Sequence, residues 1–166
     1  MPKLDLDTIP QTNATGYPPP YDAPVQGRWY RRLAPPTGIS DFAASHVVLR
    51  PGAMSSQRHW HDGEDEMLVM ISGEATLVED DGRWPMRPGD LAVWPKGSTN
   101  GHHLVNESDA DCVLSRSAGG RNMTRAAAIR TSTCCSRPTA ISTRTARPIR
   151  RSGFPSRPRS APRISR

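Results

Sequence analysis

The sequence predicts an all-β fold, a single antiparallel sandwich or barrel over residues 36–118. Three observations predict it. Short apolar runs recur at regular spacing from Asp41 onward, and glycine and proline turn signals separate them. No segment among them carries the 3.6-residue periodicity of a long amphipathic helix. At 166 residues the chain is long enough for one domain with a substantial core and too short for two of ordinary size.

Residues 1–35 read as an extended arm. Gly16-Tyr17-Pro18-Pro19-Pro20-Tyr21 favours polyproline geometry and has no helical period. In proteins similar to this one such an arm packs on the barrel or on a second subunit; a Pro-rich stretch with few apolar residues reads equally as a plain linker. Within it, residues 27–33 with Trp29 and Tyr30 offer an edge strand. The core strands follow over residues 44–49, 67–71, 74–78, 83–86, 91–94, 102–105 and 112–114. Arg50-Pro51-Gly52 ends the first of these, and Asp80-Asp81-Gly82 predicts a type I′ hairpin because Asp-Gly supplies positive φ angles. Cys112 reads as a small buried apolar residue, and three cysteines (Cys112, Cys134, Cys135) give no paired disulfide framework.

The chemistry concentrates between His59 and Asn106. Residues two apart on a strand share a face, so His59 and His61 can aim at one centre while Trp60 points away. Glu66 follows the polar turn Asp62-Gly63-Glu64-Asp65. Three imidazoles and a carboxylate converging inside a barrel make a transition-metal site with coordination positions left for substrate. The absence of thiolates from this set argues against a structural cysteine-rich zinc site.

Two segments carry a family resemblance. Gly52, His59, His61, Glu66 and Gly73 follow one motif; Gly89, Pro95, Gly97, His102 and Asn106 follow a second. Together they resemble the cupin family across residues 40–118. Two spacings depart from it: six residues rather than five separate Gly52 from His59, and four rather than two (Ser98-Thr99-Asn100-Gly101) precede His102. The resemblance implies a jelly-roll, or double-stranded β-helix, barrel. It also implies a divalent ion (Fe, Mn, Ni or Zn) on His59, His61, Glu66 and His102. His102 rather than His103 fits the spacing to Asn106, and alternation turns His103 away. Glu66 alone keeps the spacing to Gly73, leaving Glu64 and Asp65 as a solvated turn. Leu68, Met70 and Leu104 share the face of their strand's ligand and should line the pocket. His46 reads as structural; Arg50, Arg58 and Lys96 are candidate anion contacts and otherwise solvated surface.

Charge divides the chain. Residues 1–120 hold all 16 acidic residues against 10 Lys and Arg, a net of −6, whereas residues 121–166 hold 12 Arg and no acid. A nucleic-acid tail would mix Lys and aromatic residues with its Arg, and Phe154 is the one aromatic there, so only non-specific binding is expected. Composition alone makes residues 119–166 a disordered basic tail. A sharper reading is a frameshift near residues 119–128. Codons permitted for residues 129–140, read two bases later, give Pro-Asp-Ile-Asp-Leu-Leu-Phe-Ala-Pro-Asp-Gly, a segment of ordinary protein character. The barrel would then lack its native C-terminal cover and expose apolar surface or a sheet edge.

No apolar run approaches the ~20 residues of a membrane helix and no signal core opens the chain, so a cytoplasmic protein is expected. The resemblance also implies a homodimer, since proteins similar to this one commonly pair. The expected function is that of a metal-binding cupin enzyme on a small polar molecule: isomerase, dioxygenase, decarboxylase or lyase. The alternative is a non-catalytic module for a sugar-like ligand.

Overall fold

The computed structural model describes residues 3–119; the expectations for the basic tail fall outside these described residues. Eight strands form: β1 Arg28–Arg32, β2 Ala43–Leu49, β3 Glu66–Ser72, β4 Ala75–Val78, β5 Arg83–Met86, β6 Leu91–Trp94, β7 His103–Val105 and β8 Cys112–Ala118. Helical structure among the described residues is limited to the short α1 Ala34–Thr37 and two 3-10 turns. No helix among the described residues is long and apolar enough to cross a membrane.

All ladders are antiparallel. One sheet runs β1-β2-β8-β3-β6 and the other β5-β4-β7. Strand alternation decides what each sheet buries. Val47 and Leu49 of β2, Leu68 and Met70 of β3, Leu114 and Cys112 of β8, and Trp94 of β6 point inward to meet Leu77 and Leu104 from the opposite sheet. Leu49, Met70, Leu104, Leu114 and Cys112 are at most 1% exposed, so the expected burial of Cys112 holds. Burial also pushes its thiol up to about 11, which keeps it protonated and unreactive.

One turn differs from expectation in an instructive way. The β4–β5 hairpin forms, but Glu79 N–H donates to Gly82 O, so the reversal turns on Asp80 and Asp81. Gly82 is not among the glycines with positive φ. By contrast Gly73, between β3 and β4, has φ 71°, and a Cβ there would stand 2.6 Å from Asp111 O. Only glycine fits that crossing.

The arm is packed, not a linker. Thr12 and Tyr30 exchange two backbone hydrogen bonds (3.0 and 2.8 Å), and Arg31 Nε donates to Ile9 O at 3.1 Å. Ile9 and Val25 are buried. β1 forms the expected edge strand beside β2.

Candidate metal centre

Three polar or charged residues are buried among the described ones: Glu66, His102 and Asn106. Each belongs to the two motifs. Asn106 holds the scaffold: its Nδ2 donates to Leu49 O and Ala110 O, both at 2.8 Å, and its Oδ1 accepts from Ser108 N at 3.0 Å. Glu66 and His102 form the site.

Glu66 opens β3 and faces Trp94 of β6 across the ladder. Its Oε2 lies 2.9 Å from His61 Nε2, 3.1 Å from His102 Nε2 and 3.9 Å from His59 Nε2. His59 is placed by an antiparallel bridge to His102, so the two motifs meet through the backbone as well as through side chains. His59 and His61 lie in an extended segment outside the named strands, not in a continuous strand as alternation alone would suggest. Trp60 turns away and donates its Nε1–H to Asp62. His102 stacks on Trp94 with centroids 3.8 Å apart and planes 9° apart, and Trp94 is fixed in turn by donating to Glu79 Oε1 at 2.7 Å.

The outer ring nitrogens decide how the inner ones are presented. His59 Nδ1 lies 2.9 Å from Gln57 O, and His61 Nδ1 lies 2.9 Å from Glu64 Oε1. Both partners only accept, so Nδ1 carries the proton and Nε2 turns its lone pair to Glu66. The His61 lone pair facing a carboxylate oxygen at 2.9 Å calls for a cation between them, a proton or a metal ion. The ligand atoms of His59, His61 and Glu66 all lie within 4.8 Å of one another, and these three residues could hold a metal ion. His102 stands outside that tight group and joins it through its contact with Glu66. Fe, Mn, Ni and Zn all accept imidazole and carboxylate donors, so the donor set fits a first-row divalent ion.

Burial pushes the Glu66 carboxyl up, but its contacts with His102 and His61 and the Arg116 guanidinium outweigh burial. They hold it well below the usual carboxylate range. Burial pushes the His59 imidazole down to about 4, partly opposed by Glu66.

The centre opens into a cavity of about 650 Å³, within the range of small-molecule sites. Leu68 and Leu104 line it as expected, whereas Met70 sits deeper in the core. Arg50, Arg58 and Lys96 do not line it: Arg50 lies over the Trp29 ring and Arg58 pairs with Asp80. His46 and His103 lie away from it as well. Glu64 is no solvated turn residue, since it fixes His61; Asp65 is exposed and anchors Lys96 N at 2.8 Å.

Arg116, Arg28, Arg32, Tyr17 and Tyr30 line the cavity and were not singled out by sequence. Arg116 Nε donates to Glu66 Oε1. The signal for it was alternation: β8 continues four residues past Leu114, and Arg116 shares the inward face of Leu114. For Arg28, Tyr30 and Arg32 the same period-2 pattern in β1 was available. Tyr17 gives no such signal, because it reaches the cavity through the fold of the arm.

The family described as Cupin domain matches residues 45–115. No curated protein matches the chain. Among solved structures, the chain is 42% identical to a sugar phosphate isomerase from a cupin superfamily of Silicibacter pomeroyi, with TM-score 0.69, covering 71% of this chain and 75% of that one. It is 28% identical to a Cupin 2 conserved barrel domain protein from Salinispora arenicola, with TM-score 0.52, covering 72% and 87%.

Proposed function

Because the chain belongs to the cupin superfamily, we propose that it is a metal-dependent enzyme acting on a small polar molecule. His59, His61, Glu66 and His102 hold a divalent ion (Fe, Mn, Ni or Zn) in this reading. The observation that carries it is the convergence of three imidazole Nε2 atoms on one buried carboxylate oxygen. When bound, the ion supplies Lewis acidity at its open positions. The chain's residues do the rest: Glu64 and the Gln57 carbonyl orient the imidazoles, and Arg116 pins the free oxygen of Glu66. Leu68, Leu104 and Leu114 keep one side of the cavity dry. Isomerisation of a sugar phosphate is the reaction we favour, on the 42% identity to a protein of that name.

One observation favours a second reading, a non-catalytic module for a sugar-like ligand. Glu66 is the only carboxylate lining the cavity among the described residues, so no second carboxylate stands by as general base. Turnover on metal-loaded protein separates the two readings. The test is metal content per chain on purified protein, followed by sugar phosphate conversion. We expect about one first-row metal per chain, lost in His59→Ala and Glu66→Ala. Folded protein that takes up no metal contradicts the enzyme reading and leaves the module; metal with ligand binding but no turnover also selects the module.

A further inference from the structure

The cavity floor carries a row of residues, of which only Arg116 touches the metal centre, through Glu66 Oε1. Arg32 of β1 is registered against Ser45 of β2, and Ser45 against Arg116 of β8. Neighbouring strands lie about 4.8 Å apart, so the two arginine backbones stand about 10 Å apart with a serine hydroxyl between them. All three residues line the cavity. Arg28 lines it too, and its guanidinium and that of Arg32 lie 5.3 and 5.8 Å from the centroid of the Tyr30 ring between them.

Like charges on one sheet face repel, and little here offsets them. Among the described residues Glu66 is the single carboxylate on the cavity wall, and its Oε1 is taken by Arg116. Arg32 has no carboxylate partner among the described residues. Arg28 donates Nη1 to Ser55 O at 2.9 Å and leaves its buried Nε–H without a partner. Three guanidiniums against one carboxylate leave an excess of two positive charges before any metal ion is counted.

We propose that Arg32, Ser45 and Arg116, with Arg28 as a third charge, form the binding site for the phosphate group of a phosphorylated substrate. A phosphate monoester carries close to two negative charges near neutral pH and three oxygens that accept from guanidinium forks. It matches the excess, whereas a carboxylate neutralises half of it. Arg116 is registered against Leu68, two residues along β3 from Glu66, so the two rows lie about 7 Å apart. One small molecule therefore reaches both the arginine row and the His–Glu centre. The assignment rests on the proposed enzyme reading only for what the rest of that molecule is.

The test is calorimetric titration of the full chain with inorganic phosphate and with acetate, in manganese-loaded and chelator-stripped protein. Arg32→Gln and Ser45→Ala change exposed or half-buried residues outside the metal set; Arg58→Gln is the control for binding at an exposed surface arginine. We expect phosphate to bind more tightly than acetate with or without metal. Its affinity should drop about tenfold in Arg32→Gln, less in Ser45→Ala and not in Arg58→Gln. Phosphate affinity equal in wild type and both row variants overturns the assignment, as does binding seen only with metal and insensitive to Arg32. Acetate binding as tight as phosphate overturns the phosphate class. Failure to load manganese with arginine-dependent phosphate binding intact overturns the metal reading and leaves this one standing.

Discussion

Glu64 shows how much of a metal site lies outside the metal set. Its carboxylate holds His61 Nδ1 at 2.9 Å, so the opposite nitrogen faces Glu66. Glu64→Ala should leave the fold intact and lower metal affinity about ten- to hundredfold, read by competition with a chelating dye; unchanged affinity would mean that the backbone alone orients the ring. His59 gives a second prediction. Its imidazole titrates near 6.5 when unfolded and near 4 when buried in the metal-free protein. Between these values the unfolded chain binds more protons, so stability present above pH 6.5 is lost as pH falls towards 4. The Tm of metal-free protein should drop across that window, and a flat Tm would contradict it. The ligands were legible because spacing fixes them. Glu64 was not, because a carboxylate in an Asp-Gly-Glu-Asp turn looks solvated until the ring it grips is placed in three dimensions.

Among the elements, the strands were legible to within a few residues because each alternates apolar and polar positions between turn signals. β8 was the exception that mattered. Ser115-Arg116-Ser117 breaks the apolar pattern and reads as loop, yet pairing with β2 on one side and β3 on the other keeps it in the sheet to Ala118. Neighbouring strands, not local propensity, carry Arg116 into the site. Asn106 plays the converse part: it sits in the second motif but works on connections, joining the end of β2 to the β7–β8 turn. Asn106→Ala would strand two carbonyls and should destabilise the protein by about 3 kcal/mol in denaturant titration. A loss under about 1 kcal/mol would show that water replaces it readily.

At the scale of the molecule, one face stands out. Met67 and Ile71 of β3 and Leu91 and Val93 of β6 are 40–63% exposed on the outer side of the five-stranded sheet, and β6 is its edge. A cleft bordered by Phe42, Met67, Val93 and Gly119 adjoins them. Contiguous apolar surface beside an open strand favours association. The double variant Leu91→Lys with Val93→Lys should therefore lower the mass seen in sedimentation or raise solubility; unchanged values would show that this face is not where chains meet. Sequence pattern hinted at such surface only indirectly, because alternation says which residues oppose the core and not whether anything covers them.

The docked arm has a consequence for how such a protein can diversify. Ala14, Gly16 and Tyr17 wall the cavity, yet this stretch is fastened at Thr12 and Ile9 and supplies no residue to the main core cluster. Changes at residues 14–16 and 18 can therefore remodel the ligand's surroundings while the sheets keep their packing; Tyr17 is the exception, because its hydroxyl accepts from Gln57 N at 3.3 Å. Selectivity and foldability are written in different stretches of the chain, so one can drift while the other is held.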